Sequence, residues 1–341
     1  MKLPDNKIKS FVENIQSQRE KNVVIVPHVN PDGDAIGASM ALYHYFSATN
    51  KCSVIAPSSS PEFLKWMPQS EIVLDYQENK ESCEAIFSKA DLIIIADHNA
   101  ANRSGDLELL IANNSAIKLM IDHHPEPSYP VDYQISCTKV SSTAELVFNF
   151  INTINPQSFT IDIASAIYVG IMTDTGNFMH NVQPDTFKIV SQLIALNIDR
   201  EQIYDKVFNN YSVDRMRLMG YALSKKMMIL KDLGTAILYL DKNELEEFNY
   251  KIGDTEGFVN MPLAIKGINI SILIMERDGV VKMSFRSKGA VAINTIAKKY
   301  FNGGGHMNAA GGMEPDLSVD QTLVKLIEIL KQNANLLDEL K

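Results

Sequence analysis

Three continuous apolar runs punctuate the first half of the chain: VVIVP at 23–27, DLIIIA at 91–96 and IKLMID at 117–122. Each is too short for a helix and lacks the alternation of a half-exposed strand, so each predicts a strand of a parallel sheet buried on both faces. Around them the apolar positions recur at helical spacing in AIGASMALYHYFSAT (35–49), ESCEAIFSKA (81–90) and SSTAELVFNFINTI (141–154). Strands alternating with helices predict an open α/β sheet that binds ligands at the carboxyl ends of its strands. From Pro184 to Leu230 the pattern turns mostly helical, including SVDRMRLMGYALSKKMMIL with Ser212 as its N-cap. Beyond it come the strand patterns TAILYL, INISILIME and VVKMSFRS, a helix AVAINTIAKKYF, and the segment NGGGHMNAAGG. The expected organisation is an N-terminal open parallel-sheet domain over 1–205, a helical linker over 206–230, and a smaller mixed α/β substrate-binding domain over 231–341.

Length agrees with that division, since 341 residues exceed what one hydrophobic core usually supports. A net charge of −9 with a pI near 5.3 argues against a broad, charge-driven nucleic-acid surface and leaves room for a local basic pocket. Cys52, Cys83 and Cys137 are odd in number and far apart, with no CxxC, which excludes a disulfide framework or a structural zinc site and fits a reducing cytoplasm. The polar N-terminus lacks the apolar centre of a signal peptide, and no apolar run approaches the roughly 20 residues of a membrane span. A soluble cytoplasmic protein without membrane contact is expected.

Each early strand ends in groups that can bind metal. His28, Asp32 and Asp34 follow the first, Asp97 the second, and Asp122, His123 and His124 close the third; Asp174 sits where the apolar segment of GIMTDTGNF gives way to a turn. Read alone, Asn, Pro, Asp and Gly in NPDGD are as readily turn formers as ligands. An EF-hand loop starting at Asn30 fails, because Ala35 and Ala41 stand where Gly and a bidentate Glu are required. Taken alone, Asp97 reads more readily as an N-cap than as a ligand. It is the convergence of neighbouring strand ends that favours a site, with oxygen and imidazole donors and no thiolate, a set suited to manganese or magnesium. His28, Asp32, Asp34, Asp97, His123 and Asp174 are enough for two ions sharing a carboxylate. Two ions roughly 3.5–4 Å apart serve phosphoryl displacement. In NGGGHMNAAGG, consecutive glycines let backbone N–H groups approach an anion and His306 adds a donor, although a plain glycine turn fits equally; it is neither a Walker A loop nor a dinucleotide fingerprint.

HVNPDGD, IIIADH, MIDHH, GIMTDTG and FNGGGHMNAAGG occur in this order, and the chain thereby resembles the DHH superfamily of metal-dependent phosphoesterases, in the branch with a DHH-associated C-terminal domain. SFRSKG followed by GGGH is most similar to NrnA-like enzymes, which degrade nanoRNA and dephosphorylate adenosine 3',5'-bisphosphate (pAp). The resemblance runs from about Val23 to Gly312. It implies two divalent ions, manganese foremost with magnesium or cobalt as alternatives. His28 and Asp32 hold one, Asp34, His123 and Asp174 the other, and Asp97 bridges both. It implies that His124 protonates the leaving oxygen with Asp122 orienting it, and that Arg286, Gly304, Gly305 and His306 grip a phosphate or terminal nucleotide. His98 and Asn99 depart from the small residues usual after the second motif, and His98 is open to reading as a rival ligand or a solvent-facing side chain. The partners implied are short oligonucleotides or small phosphonucleotides, with long duplexes excluded and a homodimer left open. The alternatives are a phosphodiesterase of cyclic dinucleotides or their linear product (c-di-AMP, pApA) and a non-catalytic nucleotide sensor.

Overall fold

The structure is a computed structural model that describes residues 10–11, 20–277 and 279–333, and the chain divides into two units, Met1–Asn210 and Tyr211–Lys341. In the first unit, strands β1 (Asn22–Val26), β2 (Lys51–Ala56), β3 (Val73–Asp75), β4 (Leu92–Ala96), β5 (Ile117–Asp122) and β6 (Tyr133–Ser136) form one sheet in the order β3-β2-β1-β4-β5-β6. Every pairing in it is parallel. The apolar runs are continuous because both faces are covered. Val23, Ile25, Ile94, Leu119 and Ile121 pack on one side, and Val24, Val26, Ile93, Ile95 and Met120 on the other.

Helices α1 (Gly33–Ser47), α2 (Lys80–Phe87), α3 (Glu108–Ala112), α4 (Thr143–Ile154), α5 (Ile161–Asp174), α6 (Pro184–Ala195) and α7 (Arg200–Phe208) complete the first unit. Residues of α1, α4 and α5 join the first of those two cores, while Cys83, Phe87 and Ile111 of α2 and α3 join the second. Helix α1 starts two residues before its apolar pattern, because Asp32 caps it by accepting the N–H groups of Asp34 and Ala35. Ser142 and Thr160 cap α4 and α5 in the same way.

The crossing of α1 and α5 is unusually close. A Cβ on Gly37 would lie 2.6 Å from the Ala166 carbonyl oxygen, and one on Gly33 would lie 2.3 Å from Thr173 Oγ1. Gly33 is therefore small for packing, and the left-handed turn between β1 and α1 is made by Asn30 at φ 52°. Contact at this range sets Asp34, in the first turn of α1, beside Asp174, the last residue of α5.

The second unit contains α8 (Val213–Lys225), β7 (Met227–Leu230), β8 (Thr235–Leu240), α9 (Lys242–Glu247), β9 (Ile270–Arg277), β10 (Val280–Ser287), α10 (Ile293–Tyr300), β11 (Gly304–His306), β12 (Ala309–Glu314) and α11 (Val319–Gln332). Its sheet runs β11-β12-β10-β9-β8-β7, antiparallel except between β8 and β9. Ile272, Ile274, Val281 and Phe285 meet α10 and α11 on one face. Leu238, Leu240 and Leu273 meet Leu218 and Ala222 of α8 and Phe258 on the other. The segment 206–230, expected as a helical linker, thus includes a helix whose apolar stripe is buried in the second unit and the edge strand β7 of its sheet. Among the described residues, no helix is long and apolar enough to cross a membrane.

Candidate metal centre

In the first sheet the chain winds from β1 toward β2 and β3 on one side, and from β4 toward β5 and β6 on the other. The crevice beyond the carboxyl ends of β1 and β4 is therefore the topological switch point, where sheets of this kind bind ligands. His28 follows β1 directly and is 7% exposed. Its Nδ1–H donates to the Val29 carbonyl at 2.8 Å, which leaves Nε2 as a lone-pair nitrogen, buried and without a hydrogen-bond partner. Asp97 follows β4 and is buried, with its backbone in the left-handed region at φ 63°, a conformation uncommon for a residue with a Cβ. The Asp97 N–H still pairs with the Ile121 carbonyl, which ties the turn to β5. Asp122 ends β5, and His123 and His124 follow it.

Two clusters form around Asp97. His28 Nε2 lies 3.5 Å from Asp97 Oδ2 and 3.9 Å from Asp32 Oδ1. His123 Nε2 lies 3.7 Å from Asp97 Oδ1, 3.7 Å from Asp174 Oδ2 and 4.0 Å from Asp34 Oδ2. The donor atoms of His28, Asp32 and Asp97 fall within 4.8 Å of one another, as do those of Asp34, His123 and Asp174, and those of Asp97, His123 and His124. Each oxygen of Asp97 therefore faces a different histidine.

The charges are set for cations. Burial, and after it the charges of Asp97 and Asp32, hold the Asp34 carboxyl well above the usual carboxylate range. Burial and then Asp32 do the same to Asp97. Burial, with Asp34 and Asp32 behind it, raises Asp174 to about 8. Burial keeps His28 neutral by lowering its pKa, and the Arg103 charge pushes the same way. Mutually repelling carboxylates, a neutral imidazole with a bare buried nitrogen and the absence of thiolate suit hard or borderline divalent ions.

Asp122 accepts both the N–H of His124 at 3.0 Å and its ring Nδ1–H at 2.7 Å, so the imidazole is fixed in orientation and in tautomer. His98 is committed elsewhere. Its Nδ1–H donates to the Ala96 carbonyl at 3.0 Å, and Nε2 accepts the Ser104 hydroxyl at 2.9 Å, which in turn accepts from Tyr129. Burial pushes His98 down to about 3, so it is a neutral wedge beneath the turn that carries Asp97.

The residue that sequence reasoning missed is Thr143. Its hydroxyl donates to Asp97 Oδ1 at 2.6 Å and its N–H to Asp34 Oδ2 at 2.6 Å, with the Ala144 N–H on Asp34 Oδ1 at 2.9 Å. The helical run 141–154 was legible in the sequence; which carboxylates its first turn would meet was not.

In the second unit, Arg286 on β10 pairs with Ala309 on β12, which pairs with His306 on β11, so Arg286 and His306 share one face two strands apart. On its other side Arg286 pairs with Ser271, whose buried Oγ has no partner. The glycine segment is a hairpin. A Cβ on Gly303 would lie 2.1 Å from the Gly311 carbonyl oxygen, and Gly305 combines φ 141° with a 2.5 Å approach to the Ala309 carbonyl oxygen. Gly304 alone has neither a strained backbone nor a neighbour within 4 Å.

Residues 22–171 match the DHH family, N-terminal domain, and residues 234–334 match the DHHA1 domain. The protein named bifunctional oligoribonuclease and PAP phosphatase NrnA of Thermus thermophilus is 29% identical over 94% of this chain and 93% of its own. The crystal structure of an exopolyphosphatase-related protein from Bacteroides fragilis is similar at 39% identity with a TM-score of 0.95, covering 99% of this chain and all of that one. A structure of exonuclease RecJ bound to manganese shares the fold at 13% identity and a TM-score of 0.51, over 98% of this chain and 95% of that one. Matched in order along both of its units, the chain belongs to the DHH family of phosphoesterases and carries a DHHA1 domain.

Proposed function

We propose that this chain hydrolyses short oligoribonucleotides to mononucleotides and pAp to AMP, using two divalent ions, manganese foremost. The observation that carries the reading is the double presentation of Asp97, with Oδ2 toward His28 and Oδ1 toward His123. A carboxylate so placed fits a pair of ions, with His28 and Asp32 on one side and Asp34, His123 and Asp174 on the other. The Thermus thermophilus relative, named for both activities along nearly its whole length, supports the substrate class.

Divalent ions bound by these groups supply Lewis acidity toward a phosphoryl group and toward water. The chain itself supplies the rest. Asp122 accepts the Nδ1–H of His124, which leaves Nε2 as the nitrogen assigned to proton donation. As water oxygen bonds to phosphorus it gives up a proton to solvent, the bond to the ribose oxygen breaks, and that oxygen takes the proton from His124 Nε2. Arg103 adds a positive charge to the first unit near His28 and His98. Arg286, His306 and the open backbone at Gly304 are assigned to a substrate phosphate. The net charge of −9 suits a short substrate better than a long duplex, and the free thiols Cys52, Cys83 and Cys137 suit a reducing cytoplasm.

The test is product release with Mn2+ on pAp, pApA, c-di-AMP and RNA of two to about five nucleotides under identical conditions. Turnover of the short RNAs and pAp with little on c-di-AMP is the expected result. Preference for c-di-AMP or pApA replaces this substrate assignment, and no turnover of any of them replaces catalysis with binding.

A further inference from the structure

Thr143 hydrogen-bonds two different carboxylates of the centre. Its N–H reaches Asp34, which belongs with His123 and Asp174, and its hydroxyl reaches Asp97, which faces both histidines. A carboxylate oxygen accepts, so the Thr143 proton points at Asp97 Oδ1 and fixes the rotation of that carboxylate. That rotation aims Oδ2 at His28 Nε2, 3.5 Å away. Thr143 is itself rigid. It is fully buried at the first position of α4, and Ser142 caps the helix by accepting the Glu145 N–H at 3.1 Å. Glu145 Oε2 then accepts the Ser141 N–H at 3.1 Å, the Ser141 hydroxyl at 2.6 Å and the Thr186 hydroxyl at 2.8 Å, which anchors the turn to α6.

We propose that Thr143 is a positioning residue that sets the spacing of the two ions, by holding Asp97 through its hydroxyl and Asp34 through its N–H. The inference rests on the two-ion reading above. Groups that orient metal ligands typically cost about 10–100-fold in metal affinity or activity when removed. Thr143→Val keeps the N–H and nearly the volume, and replaces only the hydroxyl with a methyl group. Thr143→Ser keeps the donor.

The experiment is Mn2+ titration of the full chain by calorimetry, with turnover of a dinucleotide measured alongside. For Thr143→Val the expected result is two ions bound with affinity weakened about 10–100-fold for at least one of them, a matching fall in kcat and an unchanged KM. Thr143→Ser is expected to restore both to within about threefold. Thermal melting in EDTA checks that the Val variant is folded, and Thr143→Ala, which adds no bulk, replaces it should it melt early. Wild-type Mn2+ affinity in a folded Val or Ala variant overturns the inference. A wild-type chain that binds Mn2+ yet turns over no nucleotide defeats the substrate reading alone, since the titration still measures Thr143; a wild-type chain that binds no Mn2+ overturns both.

Discussion

Gly170 lies directly beneath Asp34: a Cβ there would sit 2.8 Å from Asp34 Oδ1 and 2.5 Å from the Ala144 Cβ. The absent side chain lets α5, α1 and the start of α4 meet at one point. Gly170→Ala should therefore destabilise the fold by about 1–3 kcal/mol through overpacking and weaken Mn2+ binding, because Asp34 must move. Gly220→Ala on α8 is the control. Nothing lies within 4 Å of its Cβ position, and a gain of about 0.5–1 kcal/mol is expected from the loss of helical glycine. Chemical denaturation of both variants checks the contrast; equal effects would remove the close-packing argument.

Asp122 accepts the Nδ1–H of His124 at 2.7 Å, and the proposed mechanism assigns the far nitrogen to proton donation. His124→Gln is expected to lower kcat on a dinucleotide by roughly 10²–10⁴-fold. Hydrolysis of a p-nitrophenyl ester of a nucleotide, whose leaving group needs no proton, should fall far less. Equal losses on both substrates would show that His124 binds rather than protonates.

The raised carboxyls give the metal-free protein a pH-dependent stability. By about pH 7.5 the ordinary histidine of the unfolded chain has lost nearly all of its proton, so His28, His44 and His98, whose folded values are lowered, contribute little to the slope above that pH. Asp174, raised to about 8, and Asp34 and Asp97, raised well above the usual range, still hold protons that the unfolded chain has released. A raised folded-state pKa means stability that is lost as pH climbs through it. The melting temperature in EDTA should fall as pH climbs from about 7.5 through 8, and the gain on adding Mn2+ should grow over the same interval, because the ions displace those protons. A flat EDTA profile would contradict the electrostatics described for the centre.

The hairpin glycines separate packing from binding. Gly303→Ala forces a Cβ against the Gly311 carbonyl and should destabilise by about 1–3 kcal/mol. The Cβ of Gly304→Val meets nothing within 4 Å and this edge-strand position is exposed, so stability should hold within about 0.5 kcal/mol. If the backbone at Gly304 is where a phosphate approaches, KM should rise about tenfold, equivalent to ~1.4 kcal/mol. Steady-state kinetics of the folded Gly304→Val variant decides it; an unchanged KM would assign all three glycines to packing.

How much of this was legible depended on the range of the interactions. The strands at β1, β4 and β5 could be read directly, because burial on both faces leaves a continuous apolar run, and the donors stand at their ends. Asn30, which makes the turn, and Gly33, which only packs, could not be told apart, since either residue type supplies a left-handed turn. Helix α8 showed its N-cap Ser212 but not its destination, because an amphipathic stripe does not name the surface that covers it. Thr143 was invisible for the same reason at longer range, being 109 positions from Asp34. His98 was ambiguous until Ser104 and Tyr129 appeared beside it.

The donor atoms stand just beyond the ends of β1, β4 and β5, at the start of α1 and at the end of α5, and none of the clusters is built from one local segment. They meet only after the central strands have paired in register across the middle of the sheet. Ions binding so late in assembly cannot template folding; they act on the finished state. Manganese is expected to slow unfolding while leaving the refolding rate nearly unchanged, so that a chain deprived of metal is lost by opening and proteolysis rather than by failing to fold.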